Sequence, residues 1–344
     1  MSLLEHAISA FERAPAPDFM SRAAVRLLVS GARRRLAAAE PGQAAAFARD
    51  MDARPIAEQT ARANEQHYEV PAAFFEAVLG PRLKYSSCLY PTGTETLAEA
   101  ETAALEETIA HAGLADGQSI LELGCGWGSL SLFMARRFGA SKVVSVSNSH
   151  SQRLFIEARA KREGLDNLTV VTADMNSFRT AARFDRIVSV EMFEHMANWR
   201  ALLGRAREWL SPDGRLFLHV FSHRACSYKF ETGDPDDWIA RHFFAGGVMP
   251  SHDLIRVFSD LFSVEEAWRW SGVHYARTAR HWLENMDANE ERVSAALGAA
   301  YGPAAPLWRR RWRLFFLATE GLFACRDGQE WGVSHYLLSP ERMA

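Results

Sequence analysis

The stretch Glu191-Met192-Phe193-Glu194-His195 places two carboxylates and an imidazole within about one turn of chain. Such a cluster can hold a cation and take its proton, and histidine works near neutral pH without a large shift in its pKa. The alternative is that Glu194 and His195 form a hydrogen-bonding pair that supports a neighbouring segment. A metal site is not expected, because ligands crowded on one turn lack a distant partner. A second stretch with chemistry in it runs from Ser119 to Ser129, Ser-Ile-Leu-Glu-Leu-Gly-Cys-Gly-Trp-Gly-Ser. Here an apolar run carries Glu122 and meets glycines at 124, 126 and 128. Glycine allows a sharp turn and lets a ligand approach the backbone. The helical spacing from Leu130 to Phe138 then offers a helix N-terminus to an anionic group. A dinucleotide fingerprint would read G-x-G-x-x-G; the G-x-G-x-G spacing here disfavours a nicotinamide cofactor.

To act together, these groups must meet at one edge of a sheet. Apolar runs at 119–123, 142–147, 168–171, 184–190 and 215–221 read as strands, and the last carries His219. Helical spacing fills 96–113, 149–163 and 199–210 between or before them. This βαβα order predicts a doubly wound, mostly parallel α/β sheet. Gly124, Ser147, Asp174 and Glu191 to His195 then all fall at carboxyl ends of strands, where such sheets bind ligands. Residues 222–285 are long and aromatic (Tyr228, Phe230, Trp238, Phe243, Phe244, Trp268, Trp270, Tyr275, Trp282), which predicts a cap with several rings lining a pocket for a cationic ligand. A final hairpin is expected from 262–265 and 322–325, with helices over 275–286, 289–301 and 306–316 between its strands. Residues 1–63 read as a helical N-terminal extension, and 64–344 as the catalytic domain with its cap at about 222–320.

The 344 residues are 48% hydrophobic, enough for a sizeable core, and the net charge of −3 gives no basic field for nucleic acid. Cys88, Cys125, Cys226 and Cys325 lie far apart and read as reduced thiols of a cytoplasmic protein. No apolar run is long enough to span a membrane. Arg33-Arg34-Arg35 and Trp308-Arg309-Arg310-Arg311-Trp312-Arg313 read as arginine stems on helix faces, with peripheral membrane contact as the alternative. A homodimer is compatible with this composition.

At His67-Tyr68-Glu69, Tyr85-Ser86-Ser87-Cys88, Leu121 to Ser129, Glu194-His195 and Trp238 to Ser251, the chain resembles the cyclopropane fatty acid synthase superfamily of S-adenosylmethionine (SAM) dependent methyltransferases. Within it, the chain is most similar to the coclaurine N-methyltransferase-like branch, which methylates benzylisoquinoline-type amines. The resemblance spans about 64–338. It implies a class I methyltransferase fold with a final antiparallel strand, and SAM as cofactor. Tyr85, Ser86, Gly124, Cys125 and Gly126 would face its methionine part, Ser147 and Gln152 the ribose, and Asp174 and Met175 the adenine, with Glu122, Asn148 and Val190 beside them. Glu191, Glu194, His195, His219 and Tyr275 would be catalytic.

Cyclopropane synthases hold a bicarbonate base with a cysteine after Tyr-Ser, a glutamate before histidine, a histidine on the fifth strand and a tyrosine in the cap. This chain keeps Glu194, His219 and Tyr275, has Ser87 in the cysteine position, and carries Glu191 where the synthases generally have glycine. An added carboxylate suits a basic amine better than an alkene. The expected function is N-methylation of a small or amphipathic isoquinoline-type amine, with proton removal by carboxylate and histidine. The alternatives are cyclopropanation or methylation of unsaturated acyl chains in phospholipids, and a SAM-binding protein without catalysis.

Overall fold

The computed structural model describes residues 12, 17–37, 42–58, 70–231, 233 and 237–341; the His67-Tyr68-Glu69 motif lies outside them. Helices α1 (Asp18–Leu36), α2 (Gln43–Asp52), α3 (Ala72–Val78) and α4 (Leu97–Ala112) precede the sheet. Helix α4 starts where the sequence says it should: Thr96 and Glu99 form a reciprocal capping box, and Gly113 closes the other end at φ 58°. Then follow β1 (Ser119–Leu123), α5 (Ser129–Arg137), β2 (Lys142–Ser147), α6 (His150–Arg162), β3 (Leu168–Thr172), β4 (Phe184–Val190), α7 (Trp199–Trp209) and β5 (Leu210–His223). A two-stranded ribbon of β6 (Tyr228–Lys229) and β7 (Val248–Met249) encloses α8 (Trp238–His242). Last come β8 (Phe262–Ser271), α9 (Gly272–Ala288), α10 (Glu290–Tyr301), α11 (Ala305–Phe323) and β9 (Trp331–Pro340).

The main sheet runs in the order β3-β2-β1-β4-β5-β9-β8. Strands β1 to β5 are parallel, and β9 pairs antiparallel with both β5 and β8. This is the doubly wound sheet that the alternation of elements predicts, and its chain reversal beside β1 opens the crevice above Gly124.

The final hairpin departs from the expectation. Residues 322–325 are not a strand: Leu322 and Phe323 end α11, continuing the buried stripe of Trp312, Phe316 and Leu317. The last strand is Trp331–Pro340, and its first six residues are all buried. A strand covered on both faces shows no polar alternation, so its sequence carries no strand period. The cap comes in two pieces, the β6-α8-β7 segment before β8 and the three helices α9 to α11 between β8 and β9. The second piece joins the sheet at a narrow neck, where Gly272 N–H donates to Gly328 O at 2.9 Å. A Cβ on Gly272 would come within 2.2 Å of Trp331 O and 2.3 Å of Phe323 O, so only glycine fits there.

Helix α1 is docked on α11 by ion pairs of Arg22 with Glu320 and Arg313 with Asp18. The basic stretch of α11 is matched rather than bare: Arg309 faces Glu290 at 2.6 Å and Arg311 faces Glu12 at 2.9 Å. No helix among the described residues is long and apolar enough to cross a membrane.

Trp312 fastens these parts together. It is fully buried, with ring centroids 4.7 Å from Phe74 on α3, 5.0 Å from Phe243 after α8 and 6.3 Å from Tyr85. Trp312→Ala should lower stability by about 3–5 kcal/mol in denaturant unfolding, with Trp312→Phe retaining most of it. An unchanged midpoint for the alanine variant would mean that α11 is not fastened through this ring.

Candidate active site

The turn after β1 has three glycines with positive φ, Gly124 (82°), Gly126 (50°) and Gly128 (81°). A side chain at Gly124 would strike Met192 at 2.5 Å, and one at Gly128 would strike Ile156 at 2.7 Å. A Cβ on Gly126 meets nothing within 4 Å, so this glycine is the one that leaves room for a ligand against the backbone. Below the turn, the Glu122 carboxylate accepts hydrogen bonds from Ser145 Oγ at 2.8 Å and from Ser131 Oγ. Burial pushes it up to about 7 even against those bonds. Ser129 Oγ, at the start of α5, is buried, lines the cavity and has no hydrogen-bond partner among the described residues.

The cavity gathers every residue expected to touch the cofactor: Tyr85, Ser86, Glu122, Gly124, Cys125, Gly126, Ser147, Asn148, Gln152, Asp174, Met175 and Val190 all line it. Ser147 Oγ donates to Gln152 Oε1 at 2.7 Å, which fixes the amide at the end of β2. Asp174 accepts from the Asn176 N–H at 2.7 Å. Room beside Gly126, an unpartnered hydroxyl at a helix start and a fixed amide at the neighbouring strand end suit a ligand with both carboxylate and ribose.

Of the residues expected to be catalytic, Glu191, His195 and Tyr275 line the same cavity, while Glu194 and His219 stand behind its wall. Glu194 is fully buried. One of its oxygens accepts from Phe221 N–H at 2.7 Å, and the other has no partner among the described residues. Burial, and then the nearby Glu191 charge, push its carboxyl well above the usual range. The carboxylate facing the cavity is therefore Glu191, not Glu194.

Glu191 sits at φ 48°, in the left-handed region where a residue with a Cβ is strained. Its carboxylate is gripped from three elements: Ser87 N–H donates to Oε1 at 2.9 Å, His219 Nε2 lies 3.2 Å from Oε1, and Tyr275 O–H donates to Oε2 at 2.7 Å. Burial raises its pKa, while the Lys84 charge, the Ser87 N–H and Tyr275 pull it back. Burial holds the Tyr275 hydroxyl well above its ordinary value and keeps His219 neutral. Ser87 gives the site only its backbone N–H, and its own hydroxyl donates to Cys88 O at 3.2 Å. The exchange of cysteine for serine at this position is thus a weak discriminator, and Glu191 is the departure that reshapes the site.

No sequence pattern singles out Lys84. It is 2% exposed, and its Nζ donates to Ser86 Oγ at 2.5 Å and Ser87 O at 2.7 Å. Glu101 on α4 accepts from the Arg82 and Lys84 N–H groups at 2.7 and 3.1 Å, so the loop carrying Tyr85 is clamped from beneath. A lysine is normally a surface residue, and nothing local marks this one as buried. Among the aromatic residues expected to shape the cap, Phe230, Phe244, Tyr275 and Trp282 line the cavity, and Tyr228, Trp238, Phe243, Trp268 and Trp270 do not.

The family model described as mycolic acid cyclopropane synthetase matches residues 56–328. The (S)-coclaurine N-methyltransferase of Thalictrum flavum subsp. glaucum is 38% identical over 288 residues, covering 82% of this chain and 80% of that protein. The cyclopropane-fatty-acyl-phospholipid synthase of Escherichia coli (strain K12) is 31% identical over 271 residues, covering 78% and 66%. A crystal structure of coclaurine N-methyltransferase bound to N-methylheliamine and S-adenosylhomocysteine (SAH) superposes with a TM-score of 0.93 at 32% identity, covering 98% of this chain and all of that one.

Removing the buried cation tests the electrostatics. Lys84→Met leaves Glu191 without its opposing charge and should destabilise the protein by about 3–5 kcal/mol near neutral pH. Burial already lifts Glu191 above its unfolded-state value, and without Lys84 it titrates higher still in the folded state. Folding binds more protons in that window, so stability falls as pH rises. The gap to wild type in denaturant midpoint should widen from about pH 5 to about pH 8; a gap that is flat with pH would separate Lys84 from Glu191.

Proposed function

The chain belongs to the mycolic acid cyclopropane synthetase family and is a SAM-dependent methyltransferase, and from that premise we propose that the methyl group goes to the nitrogen of a small isoquinoline-type amine. The observation that carries this reading is the Glu191 carboxylate at the cavity wall, gripped by Ser87 N–H, His219 and Tyr275. By resemblance, the synthases use these positions to hold bicarbonate, so here a covalently attached carboxylate fills the place of the free anion.

Bound SAM supplies a methyl group activated by its sulfonium. Gly126, Ser129, Ser147, Gln152, Tyr85 and Ser86, which line the cavity, would hold it. An alkyl amine arrives protonated at neutral pH and cannot attack until it loses that proton. Glu191, whose donors and the Lys84 charge oppose the upward push of burial, attracts the ammonium and takes the proton; burial raises its affinity for that proton. His195, on the same wall and 4.3 Å from the Phe244 ring, is the second polar group beside the amine. Phe230, Phe244 and Trp282 offer ring faces to the cation and exclude water, which aligns the acceptor for in-line attack. Glu194, behind the wall, is a positioning residue that holds the Phe221 backbone.

Acyl-chain modification is the second reading, favoured by the retained positions of Glu194, His219 and Tyr275 around the anion site. Labelled SAM offered to a panel of secondary amines and to vesicles of unsaturated phospholipid separates the two, since the label is expected only in the amines. Glu191→Gln keeps the shape but not the base, and should lower turnover about 100-fold while SAM affinity stays within about threefold. Glu191→Gly relieves the backbone strain but leaves Lys84 without its counter-charge and Ser87 N–H and Tyr275 O–H without their acceptor, so it should lower stability by about 1–3 kcal/mol in denaturant unfolding. It should also abolish amine methylation, with partial recovery on adding bicarbonate. Full activity in the glutamine variant would remove Glu191 from the chemistry.

A further inference from the structure

Behind Glu191 a file of histidines leads across one face of the sheet to the surface. His219 on β5 and His335 on β9 are paired in register, and His335 Nε2 lies 2.8 Å from His219 Nδ1. His335 Nδ1 lies 2.8 Å from Nδ1 of His111, in the last turn of α4. His111 Nε2 lies 3.2 Å from Glu107 Oε1, one turn back on the same helix, and Glu107 is 40% exposed. His219 and His335 are fully buried. Around them stand Trp270 (4.4 Å from His335), Phe217 (5.1 Å) and Trp268, stacked on His111 at 3.8 Å with the rings 7° from parallel. The rings leave the imidazoles one another as partners.

We infer that His219, His335 and His111 form a relay through which Glu191 exchanges its proton with solvent beside Glu107 on α4, outside the acceptor cavity. This rests on the reading of Glu191 as the base for an amine. Three neutral imidazoles carry one hydrogen each, yet four hydrogen bonds link Glu191 to Glu107. One added proton fills all four. It can sit on Glu191 with every imidazole N–H pointing outward, or on His111 with every N–H pointing inward. Passing from the first state to the second moves a proton from Glu191 to His219 Nε2, from His219 Nδ1 to His335 Nε2, and from His335 Nδ1 to His111 Nδ1. No ring turns, and the charge of one proton travels the whole file. A neutral file leaves one end bond unfilled, and the end contacts are the long ones, 3.2 Å each against 2.8 Å inside.

The surroundings suit this traffic. Burial lowers the proton affinity of all three imidazoles, so none traps the proton. Lys84 faces the inner end as a positive charge, while Glu107 and Glu266 face His111 at the outer end. The last turn of a helix also favours an imidazolium. The charges along the file therefore favour outward movement. Amine methylation needs such an exit: the ammonium N–H bond breaks, its proton goes to Glu191, the C–S bond gives way to a C–N bond, and one proton per turnover must leave a pocket filled by cofactor and acceptor. With the proton gone from His111, the imidazole hydrogens point inward, and the file returns to its outward tautomers before accepting another.

The tautomers test the relay without any turnover. In both neutral forms that fill the two inner bonds, His219 and His335 carry hydrogen on the same nitrogen, both Nε2 or both Nδ1, and His111 on the other. Nitrogen-15 spectra of labelled histidine should show that pattern, and any other assignment overturns the relay. Kinetically, His335→Gln and His111→Gln each keep a hydrogen-bonding side chain but cannot pass a proton. Each should bind SAM within about twofold of wild type, complete a first methyl transfer, then turn over at least about tenfold more slowly, with partial rescue by added imidazole. Unchanged steady-state rates in both variants, or a loss with neither a first-turnover burst nor imidazole rescue, would leave the histidines as structure only. A wild-type enzyme that methylates no amine would instead defeat the proposed acceptor, and the spectra would still decide the tautomers.

Discussion

A carboxylate taken out of water on a strained residue stays where it is only if donors reach it from several directions. Glu191 meets that condition: a loop amide, a strand imidazole and a helix hydroxyl converge on it, with a buried ammonium near by. Each donor comes from a different part of the chain, so each part must be in place before the site exists. The loop is clamped by Glu101, the imidazole is set by the pairing of β5 with β9, and the hydroxyl arrives on α9. The left-handed backbone at Glu191 is tolerable because these bonds over-determine it. A glycine would sit there without strain and contribute no charge.

The same dependence explains why the aromatic cap is as tightly built as the sheet. Tyr275 reaches Glu191 from α9, and its ring stacks on Phe323 of α11 at 4.3 Å. Helix α11 is in turn seated on Trp312, which touches α3 and the Tyr85 loop. The cofactor half and the acceptor half thus share one aromatic core, and Tyr85 and Trp282, 5.5 Å apart, meet at the boundary.

What could be read from the sequence was what is local. The glycine turn, the strand ends that follow it and the capped helix α4 announce themselves in short windows, and the structure puts them where spacing says they belong. The choice between Glu191 and Glu194 was not local. It turns on a backbone angle that sends one side chain into the cavity and leaves its neighbour facing Phe221 N–H. The last strand was hidden because both its faces are covered, and its hydrophobic run lacks a period. Lys84 and the file of histidines were hidden for another reason. His111 and His335 are 224 residues apart, and only the register between β5 and β9 brings His335 beside His219.

The neck at Gly272 and Gly328 has a bearing on how this architecture diversifies. Strands β8 and β9 are neighbours in the sheet, so the helices between them leave and re-enter the fold at almost the same point, through glycine backbone in contact. A segment with adjoining ends can lengthen, shorten or be replaced as a block without disturbing the register on either side. Specificity can then drift in the block while the methyl-donor half is inherited unchanged. Exchanging the block between relatives is a natural unit of recombination, with Tyr275 as the side chain any incoming block must still supply.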